Sequence, residues 1–189
     1  MIQNKLSSVF IIFSAITLLF LFALSCNTAK GPKLIEYNFE DGMQQWIAYP
    51  GLTVATETVK KHGGQQCLMV HGTSGNGIWA YAESNKFDLN SEKHYKLEGW
   101  ILVDSLRSDS TDPQVILKAG LYRDGKWFKN IYSPAYDLDH LGTWQMLAVD
   151  FVVPSESNLT CSITIDKSTN KKSITTVLYV DDVKLEQLE

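Results

Sequence analysis

Basic clusters, cysteine and helical periodicity are all scarce in this sequence, and each scarcity removes a class of function. Lys and Arg number 17 against 21 Asp and Glu, a formal net charge of −4 without any basic cluster, so there is no electrostatic footprint for nucleic acid. Long like-charge runs are missing, and Lys171-Lys172 is only a solvated pair in a polar turn. The four histidines, His62, His71, His94 and His140, show no metal-ligand spacing such as HExxH. Gly72-Thr73-Ser74-Gly75 lacks the strand-to-helix setting of a nucleophile elbow and is more simply a hairpin loop. Carboxylates are plentiful, yet nothing indicates two facing acids of the glycosidase kind. Catalysis therefore finds little support, and the chain reads as a non-enzyme. No stretch makes a long helix, and no internal period marks a repeat.

The N-terminus has a distinct composition. Lys5 is the single charged side chain ahead of a run from Leu6 to Ala29 whose apolar centre is Val9 to Leu24, the layout of a secretory signal. Its end, Ala23-Leu24-Ser25-Cys26, resembles a bacterial lipobox. The resemblance implies cleavage before Cys26 and acylation of that cysteine, although Ala23 stands where Leu is commoner. A retained signal anchor is the competing reading, for which the length just suffices. Each buried methylene of an acyl chain contributes about 0.8 kcal/mol, so several chains anchor stably. Residues 1–25 are then a lipoprotein signal, 26–33 an anchored linker and 34–189 a single domain. The expected location is the bacterial cell envelope, at the outer membrane, since Asn27 is not the Asp that retains some lipoproteins at the inner membrane. With Cys26 acylated, Cys67 and Cys161 remain. Cys161 shares a strand face with Leu159, Ile163 and Ile165, whereas Cys67 alternates with Leu68 and Val70, so two separate thiols are expected rather than a disulfide.

From Lys33 onward the period is two, punctuated by Gly, Asn, Asp and Pro. Strands are expected over 34–39, 54–58, 66–71, 78–83, 94–103, 115–122, 144–153, 160–166 and 176–185. His62-Gly63-Gly64, the loop from Gly72 to Gly77, Asp124-Gly125 and Leu141-Gly142-Thr143 are turn signals. Many short strands with this spacing predict an all-β, two-sheet antiparallel sandwich or jelly roll. Alternation assigns inward rows: Tyr95, Leu97, Gly99 and Ile101; Val115, Leu117, Ala119 and Leu121; Leu147, Val149 and Phe151; Leu68 and Val70. Each large side chain so buried contributes about 1.5–3 kcal/mol. Function has to live on the opposite faces.

Five segments in order, NFEDGMQQW (38–46), KHGGQQCLMV (61–70), KFDLNSEKHYKLEGWILV (86–103), GTWQMLAVDFVVP (142–154) and LYVDDVKLE (178–186), resemble carbohydrate-binding modules of the family 4/9/22 type. These belong to the galactose-binding-like jelly rolls. The resemblance implies one jelly-roll domain with a structural calcium ion and a sugar-binding groove. It also implies calcium ligands: the Glu40 and Asp181 side chains with backbone carbonyls around Lys61 and Gly63, Asp41 and Asp182 being ambiguous neighbours. Calcium takes six to eight oxygens, so such groups would have to converge. A polar turn and a solvated strand entry are the plainer reading of the same residues. Trp46 and Trp144 fall where family members use tryptophan for packing.

A sugar site needs flat apolar platforms with polar groups alongside. Trp100 and Glu98 lie opposite the core row of their strand, with Tyr122 on a comparable row. Trp79 and Tyr81 share a face beside the 72–77 loop, and Trp127 follows the Asp124-Gly125 turn. Any one of these aromatics taken alone is more ordinarily packing, but as a group they point to a surface for oligo- or polysaccharide. The expected function is a lipid-anchored, non-catalytic carbohydrate-binding protein. The competing one is a structural or protein-interaction jelly roll with envelope proteins as partners and no sugar site, and a small hydrolase comes last.

Overall fold

The chain divides into Met1–Gly31 and Pro32–Glu189, and a computed structural model describes residues 34–168 and 172–188, all within the second unit. Cys26, the signal and the linker lie outside the described residues. The described part is a sandwich of two antiparallel sheets, with a single 3-10 turn at Leu138–His140. Among the described residues no helix is long and apolar enough to cross a membrane.

The first sheet runs β10 (Gln145–Val152), β7 (His94–Ser108), β12 (Ile174–Gln187), β4 (Cys67–Ser74) and β3 (Leu52–Glu57), with β1 (Leu34–Tyr37) also on β12. The second runs β2 (Ile47–Ala48), β5 (Ala80–Glu83), β11 (Leu159–Asp166), β8 (Ile116–Arg123) and β9 (Lys126–Ala135), with β6 (Phe87–Asp88) on β11. The inward rows read from alternation form one core between the sheets. Tyr95, Leu97 and Ile101 of β7 meet Leu117, Ala119 and Leu121 of β8 and Ile163 and Ile165 of β11, all fully buried. Trp46 packs edge-on against Tyr37 and Phe39 in the same core. Trp144 packs against a second cluster of Cys67, Leu102 and Tyr179, outside the first sheet. Cys67 and Cys161 are both buried, one in that outer cluster and one in the central core.

The second-longest strand explains the two acidic end motifs. One side of β12 pairs with β7, while the other pairs with β4 over Ile174–Val180 and then with β1 over Val183–Glu186. At the changeover the register with β7 slips between Asp181 and Lys184, and Asp182 takes φ +46°. The gap left between the ends of β4 and β1 is where Glu40 and the 61–66 loop come together.

Sequence periodicity misses β2, β6 and β9. The first and third of these are edge strands, and β2 and β6 have only two residues each. β9 carries Asn130, Ser133 and Pro134 and two register slips against β8, which break the alternation. Tyr81 is a further difference. β5 has one residue more than β11 between Ala80 and Ala82, a bulge, and a bulge reverses side-chain direction. Tyr81 therefore does not share a face with Trp79 but lies fully buried in the core, donating its hydroxyl to Gln114 O at 3.1 Å.

Candidate functional site

The solvent-side face of the second sheet gathers the aromatic and polar residues that the core does not use. On β8, Lys118, Gly120 and Tyr122 alternate with the core row. Their partners on β11 are Thr164, Ser162 and Thr160, and on β9 they are Tyr132, Asn130 and Trp127. Glu83 of β5 stands opposite Thr164 from the other side.

Glu83 is the polar centre. Its Oε1 accepts from Tyr122 at 3.2 Å and Ser162 at 2.5 Å, and its Oε2 accepts from Tyr49 at 2.7 Å. Three hydroxyls from three segments thus converge on one carboxylate, and charge-assisted bonds of this kind are the stronger ones. Burial pushes both phenols above their ordinary value, and for Tyr49 the Glu83 carboxylate adds to the effect. They remain protonated donors at neutral pH. Above the Tyr122 ring, 3.5 Å from its centre, stands the exposed ammonium of Lys86.

Beside this cup lies a buried ion pair. Lys118 Nζ meets Asp166 Oδ2 at 2.5 Å with both side chains nearly inaccessible, and the ammonium is also 3.7 Å from the centre of the Trp79 ring. Burial lowers the Lys118 pKa, and Asp166 counters it. Tyr49 packs edge-on against Trp79 at 5.2 Å. The Thr164 hydroxyl, between Glu83 and Lys118 in the ladder, is buried with no hydrogen-bond partner.

On the β9 edge, Trp127 Nε1 donates to Asn130 Oδ1 at 3.0 Å, and Asn130 Nδ2 donates to the Tyr132 hydroxyl at 2.9 Å. One amide therefore links two rings that are 64% and 48% exposed. Exposed aromatics held in place are the platforms a pyranose ring stacks on. Tyr49, Glu83, Asn130 and Tyr132 escape the sequence reading. The register that aligns them with Tyr122 and Trp127 becomes visible only when β9 is placed beside β8.

Trp79, Tyr122 and Trp127 therefore share this face, and Trp100 and Glu98 do not. Both belong to β7 in the first sheet, on the other side of the sandwich. The imidazole of His62 covers Trp100 in a parallel stack, with ring centres 3.9 Å apart. Glu98 pairs with Lys96 at 2.5 Å and lies across from Lys184 in a surface ladder of alternating charge. Alternation places a side chain on one side of its strand and is silent about which sheet holds the strand.

The expected calcium ligands Glu40, Lys61, Gly63 and Asp181 also gather, and amide donors occupy one oxygen of Glu40 and both of Asp181. Glu40 Oε1 accepts from the amides of Gln65 at 2.8 Å and Gln66 at 3.2 Å. Asp181, nearly fully buried, accepts the amides of His62 at 2.9 Å and Gly63 at 3.1 Å on Oδ2 and that of Asp182 on Oδ1. Burial raises the Asp181 pKa, and these amides partly offset it. Lys61 turns its ammonium to Gln65 O at 3.3 Å. Gly64 has φ +53°, where a side chain is strained, and a Cβ there would stand 2.1 Å from Glu40 Oε1 and push the carboxylate off the loop amides. A calcium shell needs lone pairs free to converge, whereas here the loop points N–H donors at both carboxylates. Among the described residues no group of three or more His, Cys, Asp or Glu could hold a metal ion. In this arrangement Glu40 and Asp181 form a latch that pins the 61–66 loop where β4 gives way to β1 along β12. A shallow cavity of about 610 Å3 beside Glu40, Thr58, Lys61, Gln65 and Gln66 adjoins the latch, and none of its lining residues belongs to the aromatic face.

A family model described as a carbohydrate binding domain matches residues 31–176. Among solved structures, the chain is similar to the CBM22-1 xylan-binding domain of Xyn10C from Paenibacillus barcinonensis. Identity is 15%, over 86% of this chain and 99% of that one, with a TM-score of 0.59. The CBM22-2 xylan-binding domain of the same protein gives 16% identity, 82% and 99% coverage and 0.60. The CBM22-1-GH10 modules of Clostridium thermocellum endo-1,4-beta-D-xylanase 10B, complexed with xylohexaose, give 18% identity and 0.58, over 80% of this chain but 28% of that one. At such identities the likeness is one of fold. No curated protein matches.

Proposed function

We propose, for a chain that belongs to the carbohydrate binding domain family, that the solvent-side face of the second sheet holds an oligo- or polysaccharide of the xylan class. Trp127 and Tyr132 provide the exposed stacking surface on one edge, Tyr122 the centre, and Trp79 with Tyr49 the far side. The Tyr49 and Tyr122 phenols, whose protons Glu83 holds, keep oxygen lone pairs that accept from sugar hydroxyls. The observation that carries this reading is the Trp127–Asn130–Tyr132 bridge, which fixes two large rings in solvent where core packing gives them no reason to be.

Binding is reversible and needs no covalent step, so the module is non-catalytic. Acylation of Cys26 would hold it on the bacterial envelope at the outer membrane, with glycan on its free side. Affinity electrophoresis in gels containing soluble xylan tests the ligand: retarded migration supports it, and unchanged migration at millimolar sugar counts against it. Incorporation of a labelled fatty acid, abolished by Cys26→Ala, tests the anchor.

A further inference from the structure

Lys167, the residue after β11, is fully buried. Its ammonium donates to Ser74 Oγ at 2.8 Å, Lys172 O at 2.9 Å and Gly75 O at 3.2 Å. Three donors meet three acceptors, and none of the acceptors is a carboxylate. A buried cation bonded only to neutral groups is a poor device for stability, because desolvation opposes it and an apolar side chain of similar length fills the same space. Burial indeed lowers its pKa. What the ammonium does achieve is to join its own strand end to two other segments, Ser74-Gly75 and Lys172, the first of which leads directly to Trp79.

The segment from Gly75 to Trp79 has little packing of its own. Gly75 and Gly77 have open space where a Cβ would stand, and Gly77 takes φ +84°. Two neighbouring residues hold it from outside. Lys167 grips Gly75 O with its ammonium and Trp79 O with its own backbone N–H at 3.1 Å. Asp166 binds Lys118, whose ammonium stands against the Trp79 ring. The backbone and the ring of Trp79 are thus fixed by consecutive residues of one strand end.

We propose that Lys167 is a positioning residue for the aromatic face: by clamping the Gly75–Trp79 segment it holds Trp79 as a preset platform for the glycan. This rests on the sugar-binding reading of that face. A preset ring costs less ordering entropy when ligand binds than one fixed only in the complex.

The test is Lys167→Met, with Lys126→Met as an exposed control. The Trp79 indole resonance, assigned by loss in Trp79→Phe, reports ring order, and xylohexaose titration reports affinity. Lys167→Met is expected to melt no lower than the parent while the Trp79 indole signal broadens or shifts to solvent-like values and affinity falls about tenfold. The control should change neither. If Lys167→Met leaves the Trp79 resonance where it was, the proposal is overturned. Should that variant not fold, Ser74→Ala removes one acceptor and carries the same two readouts. If the parent binds no xylohexaose, the xylan reading fails, while the Trp79 resonance still decides whether Lys167 positions the ring.

Discussion

The Tyr122 hydroxyl donates to the Glu83 carboxylate at 3.2 Å across the full width of β11, the strand that separates them. Ser162, on that intervening strand, and Tyr49, from beyond β2, donate to the same carboxylate. A single anion therefore ties together four segments of the second sheet. Glu83→Gln replaces this acceptor with an amide that has one oxygen and two donors, leaving hydroxyls without partners. The variant is expected to lose about 1–3 kcal/mol of stability and at least tenfold in xylan affinity. Thermal melting and calorimetric titration measure both, and unchanged affinity would remove Glu83 from the site.

Removing one member of the Lys118–Asp166 pair leaves a buried charge alone. Lys118→Met should destabilise by about 3–5 kcal/mol, and the double variant Lys118→Met with Asp166→Leu should regain much of that loss. Denaturant unfolding of the parent, Lys118→Met, Asp166→Leu and the double variant gives the coupling. A double variant no more stable than Lys118→Met would show that the pair does not act as a unit.

The latch on the 61–66 loop runs on amides, so chelation and added calcium should both leave the melting temperature unchanged. Gly64→Ala, by contrast, forces Glu40 aside and is expected to lower stability by at least 1 kcal/mol. A melting temperature that rises with calcium would instead show that Glu40 and Asp181 hold the metal.

Burial pushes the Cys67 thiol from 9.0 up to about 12. A group whose native pKa is raised binds its proton more tightly when folded, so its contribution is complete below pH 9 and is lost between pH 9 and about 12. Stability should fall with rising pH in that window, by about 1.4 kcal/mol per unit from this thiol. The buried tyrosines shift in the same sense. Denaturant unfolding at stepped pH measures the slope, and Cys67→Ala should flatten it. A slope unaffected by that substitution would assign the loss to other groups.

Long strands made the sandwich legible. In β7 and β8 the period of two persists for whole strands, and Leu97, Ile101, Leu117 and Leu121 face the core as alternation implies. The site was less legible, for reasons particular residues make plain. Trp100 and Tyr122 carry the same alternation signature but belong to different sheets, and sheet membership is a long-range property. A single inserted residue reverses the Tyr81 side chain, and β9 breaks the period that would otherwise mark Tyr132. Glu83 and Tyr49 are 34 residues apart in sequence, so their contact depends on pairings that no local pattern encodes.

The two tryptophans that sequence alone could not separate provide the decisive comparison. In affinity electrophoresis through soluble xylan, Trp127→Ala should lose retardation, an effect of about 2 kcal/mol or roughly 30-fold for an exposed aromatic anchor. Trp100→Ala, on the opposite sheet beneath His62, should migrate as slowly as the parent. Loss of retardation in Trp100→Ala with full retention in Trp127→Ala would place the glycan on the first sheet and contradict the assignment.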